Sequence, residues 1–167
     1  MAVCDPVTKQ QFDVVLINAL KDFPHVDSVR REQKECLENL VQGKDVFAIL
    51  PTGFGKSLVF QIFPRLMKGL QRNRHSSSVC TIIVVTPLVA IMKDQVEQLK
   101  GMGVSSAAIG VDERADEEAA KNGTCEIVYG SPESWLSREW KRELQEGQLG
   151  KQTVAIAIDE VHSVTEW

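Results

Sequence analysis

The order of sequence patterns predicts an α/β domain, in which a parallel sheet is covered by helices on both faces. Helical and extended patterns alternate along the 167 residues. Two of the predicted strands, at residues 79–85 and 153–158, are apolar at successive positions, which indicates burial on both faces. No internal repeat or low-complexity tract interrupts this order, and the length suits one domain with a proper core.

The chain is expected to begin with two helices. The first, within a preceding segment at residues 1–22, has an apolar stripe at helical spacing: Phe12, Val15, Leu16, Ala19 and Leu20. The second is expected to begin at Ser28 as its N-cap and to stop at Gly43. Gln33 lies on the apolar face of this second helix. Such a polar residue either bonds to backbone near the helix end or contacts a ligand, and both interpretations stay open.

The main domain is predicted at residues 23–167, and its remaining elements alternate. Strands are expected at residues 45–50, 79–85, 106–110, 125–130 and 153–158, the first two separated by a helix that Pro64 ends or kinks. Residues 72–78 are expected to form a polar surface loop. Three further helices are predicted. They lie at residues 88–100, at 112–121, where the helix is expected to be solvated, and at 131–144, where Pro132 lies in the first turn.

Composition excludes several classes of protein. The net charge of -4 provides no electrostatic footprint for tight non-specific binding of nucleic acid. No secretory signal or apolar run long enough to span a bilayer is present, so we expect an intracellular protein without a membrane partner. The four cysteines are widely scattered, which favours reduced apolar residues over zinc ligands: Cys4, Cys36, Cys80 and Cys125.

The stretch LPTGFGKS at residues 50–57 matches most of the phosphate-loop pattern G-x-x-x-x-G-K-[ST], with Leu50 in place of the first glycine. Gly53 and Gly55 allow backbone amides to turn toward an anion. The following helix adds the partial positive charge of its N-terminus. Lys56 would supply a positive charge to the β- and γ-phosphates, and Ser57 a hydroxyl to Mg²⁺. The alternative is a turn that ends in GKS without binding a nucleotide.

A pair of carboxylates follows the last predicted strand. Asp159 and Glu160 stand at the exit of residues 153–158, about a hundred residues after the glycine-rich loop. One carboxylate there can hold Mg²⁺ through its water shell, and a second can orient and deprotonate an attacking water. An acidic turn that caps a helix is the alternative. Together with the loop, the pair predicts a P-loop nucleoside triphosphatase that uses Mg²⁺.

These motifs resemble those of superfamily 2 helicases, and most closely the RecQ family of DNA helicases. The similar segments occur in the family's order: VRREQ at residues 29–33, PTGFGKS at 51–57, VVTPLVAIMKDQVEQL at 84–99, YGSPES at 129–134 and AIDEVHSVTEW at 157–167. The resemblance implies a RecA-like fold for residues 23–167. It also implies a domain truncated after the DEVH motif, without the second RecA-like domain that full activity needs.

The resemblance implies roles for individual residues at the nucleotide. Arg30 and Gln33 would contact adenine. Val26 stands where the family usually has an aromatic residue that stacks on adenine, which implies weaker base specificity. Lys56, Asp159 and Glu160 would be catalytic, and Ser57 and Asp159 would hold Mg²⁺, the latter through water. The nucleotide-binding loop would comprise Thr52, Gly53, Phe54, Gly55, Lys56 and Ser57.

The resemblance also implies a surface for DNA. His162 would couple the nucleotide site to DNA, and Trp167 would begin the aromatic-rich loop that senses it. Five further residues would lie along the single strand, with ordinary strand-end and turn roles as the open alternative: Thr86, Pro87, Lys93, Ser131 and Pro132.

The implied function is ATP hydrolysis coupled to 3′-to-5′ movement on single-stranded DNA and to unwinding of forked DNA, as in DNA repair and recombination. Such a protein would be nuclear in a eukaryote. The chain alone would hydrolyse ATP barely, because a transition-state arginine from the second domain is worth about 10³ to 10⁵ in rate. Two alternatives remain: a truncated regulator that binds nucleotide or DNA without unwinding, and an RNA helicase of superfamily 2.

Overall fold

The computed structural model describes residues 7–71, 79–111 and 114–159. The chain divides into two compact units, Met1–Ser76 and Ser77–Trp167. The described part of the N-terminal unit is helical, and the C-terminal unit contains a parallel sheet flanked by helices. The α/β class predicted from the alternating patterns is therefore confirmed.

Three helices form the N-terminal unit: α1 at Lys9–Leu20, α2 at Arg31–Val41 and α3 at Lys56–Gln71. Thr8 caps α1, because its hydroxyl accepts the Gln11 N–H and the Gln11 side chain accepts the Thr8 N–H. Both α1 and α2 pack against α3. The stripe predicted on α1 is confirmed, and the buried side chains of the unit include Phe12, Leu16, Leu37, Ile62, Phe63 and Leu66. The boundary proposed after residue 22 stays a prediction.

Two helices of this unit differ from their predicted bounds: the N-cap predicted for α2 is wrong, and α3 does not end at Pro64, whereas a kink there stays a prediction. The N-cap of α2 is Arg30 rather than Ser28, because the Gln33 side chain accepts the Arg30 N–H at 2.7 Å and fixes the first turn there. Helix α3 continues through Pro64 to Gln71. The burial of Pro64 with its neighbours offsets the hydrogen bond that a proline cannot donate.

The strand predicted at residues 45–50 is also wrong. This segment has no regular secondary structure, and the side chains of Phe47 and Ile49 are 74% and 85% exposed. A strand requires a hydrogen-bonded neighbour, and the described part of the N-terminal unit contains no strand that could provide one. Of the predicted strand–loop–helix order around residue 50, only the loop and the helix are found.

Four parallel strands form the sheet of the C-terminal unit: β1 at Thr81–Val85, β2 at Ser106–Ile109, β3 at Ile127–Gly130 and β4 at Thr153–Ile158. Their order across the sheet is β2-β3-β1-β4. The pairing register joins Val85 to Gly130 on one side and to Ile158 on the other. The carboxyl ends of three strands therefore lie level with one another.

Helices cover both faces of this sheet. Helix α4 at Val89–Gly101 lies on one face, where the Tyr129 hydroxyl donates to the Gln95 side chain at 3.0 Å. The opposite face packs against α5 at Arg114–Lys121, α6 at Pro132–Leu136, α7 at Arg138–Glu146 and α8 at Gln148–Gln152. The core between that face and these helices contains Ile83, Ala107, Ile109, Ala120, Cys125, Val128, Trp135, Trp140 and Leu149.

The prediction that the last strand is buried on both faces is wrong within this unit. Strand β4 lies at the edge of the four-stranded sheet and pairs only with β1 among the described strands. Ile156 and Ile158 are 62% and 50% exposed as a result. An apolar run indicates the capacity for burial, whereas the position of a strand in the sheet decides whether burial occurs.

Helix α5 is only partly exposed to solvent, whereas the sequence predicts a solvated helix. Asp116 is buried, and its carboxylate accepts the Ala108 N–H at 3.0 Å and pairs with Lys100 at 2.7 Å. Because β2 is the other edge of the sheet that the described strands form, the Asp116 carboxylate satisfies an amide at that edge.

The helix predicted at residues 131–144 is two helices with a break at Ser137. Ser131 caps α6 by accepting the Ser134 N–H at 3.2 Å, and Ser137 caps α7 by accepting the Trp140 N–H at 3.4 Å. Each cap holds its own residue in an extended conformation, so the helical path cannot continue through Ser137. Helix α8 was not predicted.

Cys36, Cys80 and Cys125 are buried and free of disulfides, in agreement with their expected role as apolar residues. Burial raises the pKa of the Cys125 thiol, which keeps it protonated at neutral pH. Among the described helices, none combines the length and the apolar character that crossing a membrane requires.

Candidate nucleotide-binding site

The glycine-rich loop before α3 forms a tight turn. The Phe54 N–H donates to the Pro51 carbonyl at 3.2 Å, and Gly53 at the third position of this turn has φ of 76°. Gly55 follows with φ of 82°. A residue with a Cβ is strained at such φ angles, so the backbone conformation favours glycine at both positions. The backbone therefore turns at Gly53 and Gly55, the two glycines at which the sequence predicts a turn.

The buried amide of Gln33 holds this loop. Its Nε2 donates to the Phe54 carbonyl at 3.1 Å and to the Gly55 carbonyl at 3.0 Å, while its Oε1 accepts the Arg30 N–H. A Cβ added to Gly55 would stand 2.8 Å from that Nε2. The interpretation that Gln33 bonds to backbone is confirmed, and its predicted contact with adenine stays a prediction.

The side chain of Arg30 makes a second contact with the loop, at the ring of Phe54. Its guanidinium carbon is 4.4 Å from the centre of the Phe54 ring, a distance typical of a cation–π interaction. Arg30 is exposed and Phe54 is half-buried. The structure therefore brings the two predicted adenine-contacting residues, Arg30 and Gln33, to the same loop.

The loop leads directly into the first turn of α3. Lys56 and Ser57 are the first two residues of this 16-residue helix, and both are half-buried. The Leu58 N–H donates to the Gly55 carbonyl at 3.1 Å, which joins the loop to the helix. The first turn contains no acidic residue, so the partial positive charge of the helix N-terminus and the ammonium of Lys56 both favour an anion.

In the C-terminal unit, three predicted residues follow directly after aligned strand ends. Thr86 follows β1, Ser131 follows β3 and Asp159 follows β4. The Thr86 N–H donates to the Gly130 carbonyl at 3.1 Å, and the Asp159 N–H donates to the Val85 carbonyl at 2.9 Å. The ladder is therefore extended by one residue, which places these residues in one row at the edge where open α/β sheets bind ligands.

The predicted DNA-contacting residues differ in accessibility. Lys93 is exposed on α4, Pro87 and Ser131 are half-buried, and Pro132 is buried at the start of α6. Thr86 is only 1% exposed, and its hydroxyl has no hydrogen-bond partner in the part of the chain that the structure describes. A direct contact between Thr86 and DNA would require a neighbouring group to move.

The sequence interpretation gave no role to Glu133 in α6. Its carboxylate accepts hydrogen bonds from its own backbone N–H and from the Ser131 hydroxyl, and these bonds lower the pKa of Glu133. The Glu133 carboxyl is therefore a neighbour of Ser131 within the same short helix cap. The serine-proline-glutamate order with a helix cap is the local signal that identifies this arrangement.

The predicted magnesium ligands belong to different units. Ser57 lies in the N-terminal unit and Asp159 in the C-terminal unit. Their hydroxyl and carboxylate oxygens are hard donors, which suit Mg²⁺. Three predicted residues, Glu160, His162 and Trp167, lie outside the described residues.

Comparison with known proteins identifies the family of this chain. The family model described as DEAD/DEAH box helicase matches residues 30–167. The chain is 30% identical over 171 residues to the ATP-dependent DNA helicase hus2/rqh1 of Schizosaccharomyces pombe, covering 98% of this chain and 12% of that protein. It is 33% identical over 144 residues to the ATP-dependent helicase SGS1 of Saccharomyces cerevisiae, covering 83% and 10%. The ATP-dependent DNA helicase RecQ of Bacillus subtilis is 31% identical over 147 residues, covering 84% and 22%.

The chain belongs to the DEAD/DEAH box helicase family, and its similarity to RecQ helicases confirms the resemblance found in the motifs. The parallel sheet with helices on both faces is consistent with a RecA-like helicase domain. The chain spans between about a tenth and a fifth of the length of these relatives.

Proposed function

We propose that this chain is the ATP-binding domain of a RecQ-type DNA helicase. In the whole protein, it would couple ATP hydrolysis to 3′-to-5′ movement along single-stranded DNA and to unwinding of forked DNA. The observation that carries the proposal is the glycine turn before α3, held by Gln33 and followed by Lys56 and Ser57. The names of the relatives, which are ATP-dependent helicases, support it.

The N-terminal unit would bind the nucleotide. Backbone amides of the turn and the start of α3 would surround the phosphates, and the ammonium of Lys56 would offset the charge that develops on them. Arg30 and Gln33 would contact the adenine from the side of α2. The buried amide of Gln33 thereby links the proposed base subsite to the loop carbonyls of Phe54 and Gly55.

The C-terminal unit would supply the carboxylates and the DNA contacts. Asp159 would hold Mg²⁺ through water together with the Ser57 hydroxyl, and Glu160 would orient and deprotonate the attacking water. When bound, Mg²⁺ would offset negative charge on the phosphates. Five residues of this unit would lie along the single strand: Thr86, Pro87, Lys93, Ser131 and Pro132. His162 would couple the nucleotide site to the DNA, and Trp167 would begin the loop that senses it.

Full turnover would require a second RecA-like domain in the longer protein, since a transition-state arginine is worth about 10³ to 10⁵ in rate. Action on DNA also implies an intracellular location, which in a eukaryotic cell is the nucleus. Repair and recombination are the processes that such an activity serves.

The test is the ATPase rate with and without single-stranded DNA, for this chain and for a longer product of the same gene. We expect strong stimulation of the longer product by DNA and little turnover by the chain alone. A longer product that binds ATP without DNA-stimulated turnover would contradict the helicase and favour a regulator. Stimulation by an RNA of matched sequence but not by DNA would instead indicate an RNA helicase.

A further inference from the structure

We propose that Phe54 is a positioning residue for base recognition, because its ring holds the guanidinium of Arg30 beside the nucleotide. This inference rests on the proposed function, since it takes Arg30 as a contact of the bound base. It adds a role for the aromatic side chain of the phosphate loop that the loop motif itself does not require, because the x positions of that motif accept any residue.

The backbone of Arg30 is fixed independently of its side chain. The Arg30 N–H donates to Gln33 Oε1 at 2.7 Å, and the Arg30 carbonyl accepts the Lys34 N–H at 2.9 Å as the first bond of α2. A long side chain on a fixed backbone still has several rotatable bonds, and ordering it costs rotamer entropy. A second anchor near its tip would offset that cost before the nucleotide arrives.

The Phe54 ring provides this anchor. The guanidinium carbon stands 4.4 Å from the ring centre, within the range where the ring face attracts a cation. Within the described residues, no carboxylate forms an ion pair with Arg30 that would hold or neutralise it instead. The charge is therefore available to a ligand while the ring restricts its position.

Phe54 is itself held by the same amide that fixes Arg30. Its N–H donates to Pro51, and its carbonyl accepts Gln33 Nε2 at 3.1 Å. Arg30, Gln33 and Phe54 thus form a closed set of contacts, in which Gln33 bonds to the backbone of both partners and the ring contacts the side chain. Arg30 is an exposed residue, and guanidinium N–H groups that the ring does not engage can donate to ring nitrogens of a purine.

The experiment distinguishes effects on recognition of the base from effects on binding of the phosphates. The affinity of the chain for ATP and for inorganic tripolyphosphate is measured by calorimetric titration, for the natural chain, for Phe54→Leu and for Phe54→Tyr. The leucine variant keeps an apolar side chain without a π face, and the tyrosine variant keeps the ring. We expect Phe54→Leu to weaken ATP binding about 2- to 5-fold, the equivalent of about 0.5–1 kcal/mol, and to leave tripolyphosphate binding unchanged. Phe54→Tyr should bind both as the natural chain does.

A double-mutant cycle tests whether Phe54 acts through Arg30. Arg30→Gln should weaken ATP binding, and adding Phe54→Leu to it should cause no further loss, because the ring acts through the guanidinium. Additive losses would contradict the proposal, as would unchanged ATP affinity in Phe54→Leu. An equal loss for tripolyphosphate would also overturn it, since the ring would then act on the phosphate loop. If the natural chain bound neither ATP nor tripolyphosphate, the proposed function itself would fail.

Discussion

In the N-terminal unit the candidate phosphate loop is held by the buried amide of Gln33, whereas in the C-terminal unit the candidate residues follow directly from paired strands. The loop therefore depends on a few hydrogen bonds between segments 21 and 22 residues apart in sequence. The row at the strand ends depends on the whole parallel ladder and its core. We expect substitutions near the loop to change ligand affinity with little effect on stability, and substitutions beneath the row to change stability first.

The largest expected effect is on the core of the C-terminal unit. Trp135 is 6% exposed, meets Trp140 edge to face with ring centres 5.7 Å apart, and donates from Nε1 to the Val84 carbonyl at 3.4 Å. Trp135→Ala should lower the free energy of unfolding by about 3–5 kcal/mol, because it leaves a cavity beneath the sheet. Chemical denaturation followed by circular dichroism measures this.

The neighbouring residue provides a matched control. Leu136 is 64% exposed, so Leu136→Ala should change the free energy of unfolding by no more than about 0.5 kcal/mol. If the two variants were equally stable, the aromatic core would not determine the stability of this unit.

A smaller effect on stability, and a larger one on ligand binding, is expected at Gln33. Gln33→Leu removes the donor to two loop carbonyls, each bond being worth about 1 kcal/mol. We expect the affinity for both ATP and tripolyphosphate to fall about 10-fold, in contrast to the effect predicted for Phe54→Leu. Titration calorimetry and the midpoint of thermal unfolding distinguish loss of binding from loss of folding.

The control for Gln33 is Gln10→Leu on the exposed surface of α1, which should leave both affinities unchanged. A Gln33→Leu variant with unchanged tripolyphosphate affinity would show that the loop keeps its shape without the amide.

The smallest expected effect is a difference in stability between variants of two threonines: Thr81, the first residue of β1, and Thr86, the residue directly after its end. The Thr81 hydroxyl donates to the Cys125 carbonyl at 2.7 Å, whereas the buried Thr86 hydroxyl has no partner in the described residues. Thr81→Val should destabilise the chain by about 1 kcal/mol, and Thr86→Val should be neutral or stabilising, because it removes an unsatisfied polar group. Equal destabilisation in the denaturation midpoints of both variants would mean that Thr86 also has a partner.

Local patterns in the sequence predicted much of each unit. The stripe on α1, the stop of α2 at Gly43 and the loop that ends in Gly55-Lys56-Ser57 all arise from residues close together in the chain. The four strands of the sheet were predicted for a similar reason, since short apolar runs between turns are typical of parallel strands.

The errors arose where position in the fold overrides the local pattern. Residues 45–50 and β4 have similar apolar runs, yet the first has no strand partner among the described residues of its unit and the second lies at an edge of the sheet. The local pattern places Asp116 in a solvated helix, because it does not show that an amide of the edge strand β2 requires a hydrogen-bond partner. The cation–π contact of Arg30 with Phe54 likewise joins separate segments, and no periodicity reveals it.

The most direct test of the account is an ATP titration of the natural chain against Lys56→Ala, with Lys68→Ala as control. Lys68 is an exposed lysine in the same helix, so its loss tests the effect of one fewer positive charge on α3. We expect ATP binding by the natural chain and by Lys68→Ala, and none detectable by Lys56→Ala, with all three folded by circular dichroism. Unchanged affinity in Lys56→Ala would contradict the assignment of the loop before α3 as the phosphate site.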